Sequence, residues 1–165
     1  YNLLSFLVRP IDGGRKFRGK PMFGQNKTWR GPVAVAFGAA IALEVQKRML
    51  HEWPIIAEFE LLNYANVCGW RLGALIGAAS EFSELPNSFV KRQLDIAPGG
   101  TSSGWWSVVF YVWDQIDVLL GIWLVFATVM SVALEWVLWS VVLVLIIHPL
   151  TTVIGYMLGM RAAVR

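Results

Sequence analysis

The segments VLLGIWLVFATVMSVAL at 118–134 and WVLWSVVLVLIIHPLTTVIGYML at 136–158 are separated by a single charged residue, Glu135. A bilayer's hydrocarbon core is roughly 30 Å thick and takes about 20 helical residues to cross. Each segment therefore reads as a membrane span, and Glu135 as the turn of an antiparallel hairpin. The rest of the chain keeps this character. Of 165 residues, 56% are apolar and 15% charged, with a mean hydropathy of +0.56; soluble domains average roughly 45–50% and about 25%. A large soluble domain is excluded. The expected fold class is all-α, a polytopic membrane protein of four to five transmembrane helices with two long cytoplasmic loops.

Two further spans lie upstream. Residues 33–50 are apolar until Glu44, Lys47 and Arg48, which must reach an interface. Residues 61–82 carry Gly69, Gly73 and Gly77 at four-residue spacing, which puts three small residues on one helix face for close packing. Residues 1–8 read as the tail of an apolar segment. Between the spans lie a basic, Gly-rich loop at 9–31, a polar connection at 51–60, and a long loop at 84–113 in which 87–94 is compatible with a short helix. Eleven bases fall on one side of these spans (Arg9, Arg15, Lys16, Arg18, Lys20, Lys27, Arg30, Lys91, Arg92, Arg161 and Arg165) and two, Lys47 and Arg48, on the other. This asymmetry assigns the base-rich side to the cytoplasm of a multi-pass cell-membrane protein. The net charge of +3 is too small to suggest nucleic acid without a basic patch and a reading motif, so no nucleic-acid partner is expected. Cys68, alone, makes neither a disulfide nor a zinc site, and its apolar surroundings make it read as a small buried packing residue.

The two base-rich loops hold most of the polar groups that a reaction needs. In Gly24-Gln25-Asn26-Lys27-Thr28-Trp29-Arg30-Gly31, Lys27 and Arg30 bring positive charge near the start of a helix at Pro32, a combination that attracts phosphate. The same bases also suit anchoring to lipid headgroups. The second loop carries Glu84-Leu85-Pro86-Asn87-Ser88-Phe89-Val90-Lys91-Arg92 and then Trp113-Asp114-Gln115-Ile116-Asp117 at the mouth of a span. Asp114 and Asp117, three apart, share a helix face and can converge on one hard cation; alternatively they stabilise a helix N-terminus. Asp117 lies deeper, where an idle carboxylate is costly. Arg71, nearly three turns inside its span, reads as a snorkelling side chain. His148, before Pro149, reads as a polar packing group beside a kink.

Together, Gly24 to Gly31, Ser88-Phe89-Val90-Lys91-Arg92, Asp114-Gln115-Ile116-Asp117 and His148-Pro149 resemble the CDP-archaeol synthase family and its bacterial relatives, a branch of the CTP-transferase membrane enzymes related to phosphatidate cytidylyltransferase. The resemblance runs from about Pro10 to Arg161. It implies a single membrane-embedded cytidylyltransferase-like domain over 1–165, a five-helix enzyme whose first helix mostly precedes Tyr1. It further implies a nucleotidyltransferase of phospholipid biosynthesis that joins CMP from CTP to a membrane lipid phosphate, with pyrophosphate leaving. Ser88, Lys91 and Arg92 match the family's nucleotide and phosphate motif, and Asp114 and Asp117 its metal-binding acids. Glu84 stands where archaeal members carry aspartate, Gln93 where a further arginine is common, and Gln115 replaces the arginine of the phosphatidate enzymes' Asp-Arg-x-Asp.

The expected site follows from these matches. Mg2+ is held by Asp114, Asp117 and Glu84; Lys27, Thr28, Arg30, Asn87 and Ser88 bind the nucleotide; Lys91, Arg92, Asp114 and Asp117 are catalytic. The expected partners are CTP, a membrane lipid phosphate and the bilayer itself. Positioning and charge neutralisation carry such a reaction, with no covalent intermediate. The alternative is a non-catalytic polytopic lipid-binding or assembly protein. A small transporter is disfavoured, since no pair of broken helices recurs in two halves.

Overall fold

The computed structural model describes residues 3–53, 55, 58, 62–64, 67–100 and 103–159. It is mostly helical: α1 (Leu3–Leu7), β1 (Lys16–Phe17), β2 (Lys20–Pro21), α2 (Arg30–Glu52), α3 (Gly69–Gln93), α4 (Trp105–Phe126) and α5 (Leu134–Met157). Half of the 51–60 connection, residues 61, 65 and 66 of the expected 61–82 span, Arg161 and Arg165 lie outside the described residues.

The long helices pack in chain order, α2 on α3, α3 on α4 and, less extensively, α4 on α5. Small residues make the first contact close. A Cβ added at Gly73 would stand 2.5 Å from the Ala39 carbonyl oxygen, and one at Gly77 would stand 2.5 Å from that of Val35. As α3 advances by one turn its contact retreats along α2, so the two helices run antiparallel. At one end of the bundle Leu43, Leu62 and Leu72 form a small buried cluster, against which Val125 and Phe126 of α4 pack. The polar cavity occupies the opposite end. α4 and α5 are long and apolar enough to cross a membrane. α5 buries only Thr152 and exposes Leu138, Val142, Leu143, Ile146 and Ile147, an outer surface suited to hydrocarbon.

Several boundaries differ from the sequence reading. The helix expected to end at 82 continues to Gln93, so Ser88, Lys91 and Arg92 sit on α3 and not in a loop, and Pro86 lies inside the helix. Proline breaks an isolated helix, but α3 is flanked along its length by α2 and α4, and tertiary packing overrides local propensity. The long 84–113 loop shrinks accordingly to 94–104. Asp114 and Asp117 then fall in the middle of α4, not at a helix N-terminus. The α4–α5 turn is 127–133, and Glu135 lies in the first turn of α5 rather than in the connection itself. Arg71 lies in the first turn of α3 rather than deep within it, and Cys68, expected to be buried, is exposed just before that helix.

The 9–31 segment also has structure the periodicity does not reveal. β1 and β2 pair antiparallel, Lys16 with Pro21 and Phe17 with Lys20, around Arg18 and Gly19. Both turn residues have positive φ, as the twist of a two-residue hairpin requires. The base of the segment is closed where Ile11 N–H donates to the Lys27 carbonyl at 2.8 Å and Trp29 N–H to that of Arg9 at 3.2 Å. Trp29 is held between Phe6, ring centroids 5.6 Å apart, and Phe82 of α3 at 6.1 Å.

Candidate functional site

A cavity of about 740 Å³ opens between the 23–27 segment, the last turns of α3, the 96–100 loop, the first half of α4 and His148 of α5. Its size is that of a small-molecule or nucleotide site. Helical periodicity decides which side chains enter. Glu84, Asn87, Ser88 and Lys91 recur at three- and four-residue steps along α3, and Ser107, Phe110, Tyr111, Asp114 and Asp117 do the same along α4. Two antiparallel helix faces thus meet across the cavity.

At its floor, Asn87 and Asp117 are almost fully buried, 2% and 3% exposed. Asn87 Nδ2 donates to Asp114 Oδ1 at 2.6 Å and to Asp117 Oδ2 at 2.9 Å, so one amide gathers the two carboxylates. The other oxygen of Asp117 accepts the Val118 N–H at 2.8 Å. Lys91 forms an ion pair with Asp114, its ammonium 5.4 Å from the centre of the Phe110 ring. Glu84 is not gathered with the aspartates. Its carboxylate pairs with Lys27, and among the described residues no three of His, Cys, Asp and Glu converge.

Arg92 lines the cavity, but two of its nitrogens are engaged by backbone. Nε donates to the Phe23 carbonyl at 3.3 Å, and an NH group to that of Ile96. The guanidinium thereby joins the 23–27 segment to the loop after α3, and its partial burial lowers its pKa from the ordinary value. Gly24 answers this contact. Its φ is +98°, and a Cβ there would lie 3.2 Å from Arg92 Nε. Lys20 reinforces the junction, donating to the Gln93 carbonyl at 2.7 Å and pairing with Asp95 at 2.6 Å.

Of the residues expected from sequence, Lys27, Glu84, Asn87, Ser88, Lys91, Arg92, Asp114 and Asp117 all border this cavity. Thr28 and Arg30 do not. Thr28 is bridged to Pro10, and Arg30 is exposed at the first position of α2. Sequence reasoning missed Asn26, Ser107, Tyr111 and Gln115, and it gave His148 a packing role although His148 lines the cavity. Extending the period of Asp114 and Asp117 backwards by one and two turns would have found Tyr111 and Ser107.

The residues present fit a hard divalent cation. Two carboxylates held within 3 Å of a single atom, beside the amide oxygen of Asn87, make an all-oxygen donor set. Magnesium characteristically uses one or two carboxylates and completes its shell with water and phosphate.

The family model described as CarS-like, CDP-archaeol synthase, matches residues 4–164. The chain belongs to this family. A CDP-archaeol synthase of Methanococcoides burtonii is 32% identical over 93% of this chain and 88% of its own length. Relatives of the same name from Halorubrum lacusprofundi and Pyrobaculum aerophilum are 31% and 28% identical, covering 93% and 92% of this chain and 82% and 79% of their own. The fold is similar to that of a solved structure described as an intramembrane enzyme for archaeal membrane lipids biosynthesis, with a TM-score of 0.60 at 21% identity over 88% of this chain and 79% of that one. Membership of this family, together with the apolar α4 and α5, makes the chain a membrane protein. As a family member it is a CTP-dependent cytidylyltransferase, a nucleotidyltransferase that makes a CDP-lipid; the non-catalytic alternative is not favoured.

Proposed function

We infer that the cavity between α3 and α4 is where a membrane lipid phosphate attacks the α-phosphorus of CTP, forming the CDP-lipid and releasing pyrophosphate. The observation that carries this reading is the meeting of Lys27 and Lys91 with the Asp114–Asp117 pair in one cavity of nucleotide size. Each lysine is already neutralised by an acid, Lys27 by Glu84 and Lys91 by Asp114. Triphosphate entry with its cation would exchange partners, ammonium for phosphate, so the site binds charge without leaving lysines unpaired beforehand. Magnesium, when bound at Asp114 and Asp117, would neutralise the phosphates and withdraw charge from the α-phosphorus.

The chain's own groups supply the rest. Lys91 and Lys27 orient the phosphates, Ser88 offers a hydroxyl donor, and Arg92 holds the 23–27 segment against α3 so that Lys27 faces the cavity. Glu84 acts as the counter-ion of Lys27. The apolar surface of α5 beside His148 would let a lipid keep its chains in the bilayer while its phosphate reaches the cavity. The apolar helices and the family resemblance support four to five spans in a single domain, and the distribution of bases supports a site open to the cytoplasm.

The relatives' name specifies archaeol as the lipid carried by CDP. We therefore place an isoprenoid ether-lipid phosphate first among acceptors, with phosphatidate as the comparison. Purified protein given [α-³²P]CTP, magnesium and each lipid in turn should move label into the lipid fraction. Absence of label with every acceptor would refute the reading.

A further inference from the structure

The amide of Asn87 is the one polar group at the cavity floor whose two ends are treated differently. Its nitrogen meets two carboxylate oxygens, at 2.6 and 2.9 Å, whereas its oxygen is buried and has no hydrogen-bond partner among the described residues. Buried acceptors are nearly always satisfied, and an exception calls for an explanation. The side chain comes from α3, and both carboxylates come from α4, so the amide couples the two helices that form the cavity.

Without a cation the orientation is dictated by charge. Turning the carbonyl toward Asp114 and Asp117 would bring a third acceptor against the two carboxylates, take the Asn87 donor from Asp117 Oδ2, and leave Lys91, at Asp114, as the donor to the facing oxygens. A cation between the carboxylates reverses the preference, because an N–H donor then points at positive charge while a hard oxygen is what such an ion accepts. Half a turn about the last side-chain torsion exchanges the two ends and leaves the helix backbone where it is.

Resting on the metal-assisted reading above, we propose that Asn87 is a two-way positioning residue. Its nitrogen holds Asp114 and Asp117 together in the metal-free protein, and its oxygen becomes a ligand when a divalent cation loads the pair. A purely structural bridge makes the opposite prediction. An amide that only donates competes with the cation for the carboxylate oxygens, so removing it should tighten cation binding.

The test is Mn2+ binding to the detergent-solubilised full chain without CTP, read by electron paramagnetic resonance, in the parent, Asn87→Leu, Asn87→Asp and Asp117→Asn proteins. Asn87→Leu keeps the volume and removes both donor and acceptor; the inference expects about tenfold weaker Mn2+ binding, the scale seen when groups supporting a metal site are lost. Asn87→Asp retains an oxygen and should bind at least as tightly as the parent, with a larger Mn2+-induced rise in Tm. Should Asn87→Leu fail to fold, Asn87→Ser, which shortens the reach of the oxygen, should show the same weakening. Unchanged or tighter binding in the Leu or Ser protein would overturn the role of Asn87 while leaving the metal pair standing. Parental binding in Asp117→Asn would overturn the metal reading itself, and the inference with it.

Discussion

Lys91 and Arg92 are neighbours in sequence with the same charge, yet the structure gives them different work. Lys91 is paired with Asp114 inside the cavity, whereas Arg92 spends its donors on the carbonyls of Phe23 and Ile96. Lys91→Ala should therefore raise the KM for CTP by roughly one to two decades, the equivalent of about 1.5–3 kcal/mol for a charge-assisted contact. An unchanged KM would remove Lys91 from the nucleotide site. For Arg92→Gln the expected effect is on the segment it anchors. Trypsin should cut after Arg15, Lys16 or Arg18 faster than in the parent, and equal cleavage rates would deny the anchoring role. This division was not legible in the sequence, because a motif of adjacent bases does not say which one faces backbone. The convergence of Asp114 and Asp117 was legible, since three-residue spacing on any helix puts both on one face.

The helices show both sides of what local pattern reveals. The glycines at 69, 73 and 77 disclose a close helix contact from spacing alone, and Gly73 and Gly77 lie against the α2 backbone. Gly73→Val should push α2 away and lower the Tm in detergent, at a cost of about 1–3 kcal/mol for overpacking. Gly38→Ala is the matched control. Nothing lies within 4 Å of a Cβ there, and alanine is the better helix former, so its Tm should equal or exceed the parent's. A Gly73→Val protein as stable as Gly38→Ala would contradict the packing. Pro86, by contrast, pointed to a helix end that packing against α2 and α4 overrides, and that one misreading displaced Ser88, Lys91 and Arg92 into a loop. The α4 start was hidden for a related reason. Trp105 to Asp117 mixes aromatic, apolar and acidic residues because one face lines a polar cavity, which blurs the uniform hydropathy that marked 118–134.

At the scale of the whole molecule, the helical class and the membrane setting were readable from composition, whereas the cavity was not, because it arises only when α3 and α4 oppose their polar faces. The 9–31 segment and the end of α3 are joined through Lys20, Asp95 and Arg92, so the two base-rich regions lie at one end of the bundle. In a Cys68→Ala background, cysteines placed at Lys16 and Ser103 should resist an impermeant thiol reagent in intact cells, and one at His51 should react. The reverse pattern would invert the proposed orientation. The central claim is that transfer happens between α3 and α4 with a cation at the aspartate pair. Its most direct test is the initial rate of CDP-lipid formation by Asp114→Asn and Asp117→Asn, measured at saturating CTP over a magnesium series. Each substitution keeps the side chain's size and removes the charge that holds a hard ion. The account predicts a fall of roughly 100-fold or more in both, the scale on which loss of transition-state charge stabilisation is felt, with partial recovery at high magnesium. Parental rates in both variants would contradict it.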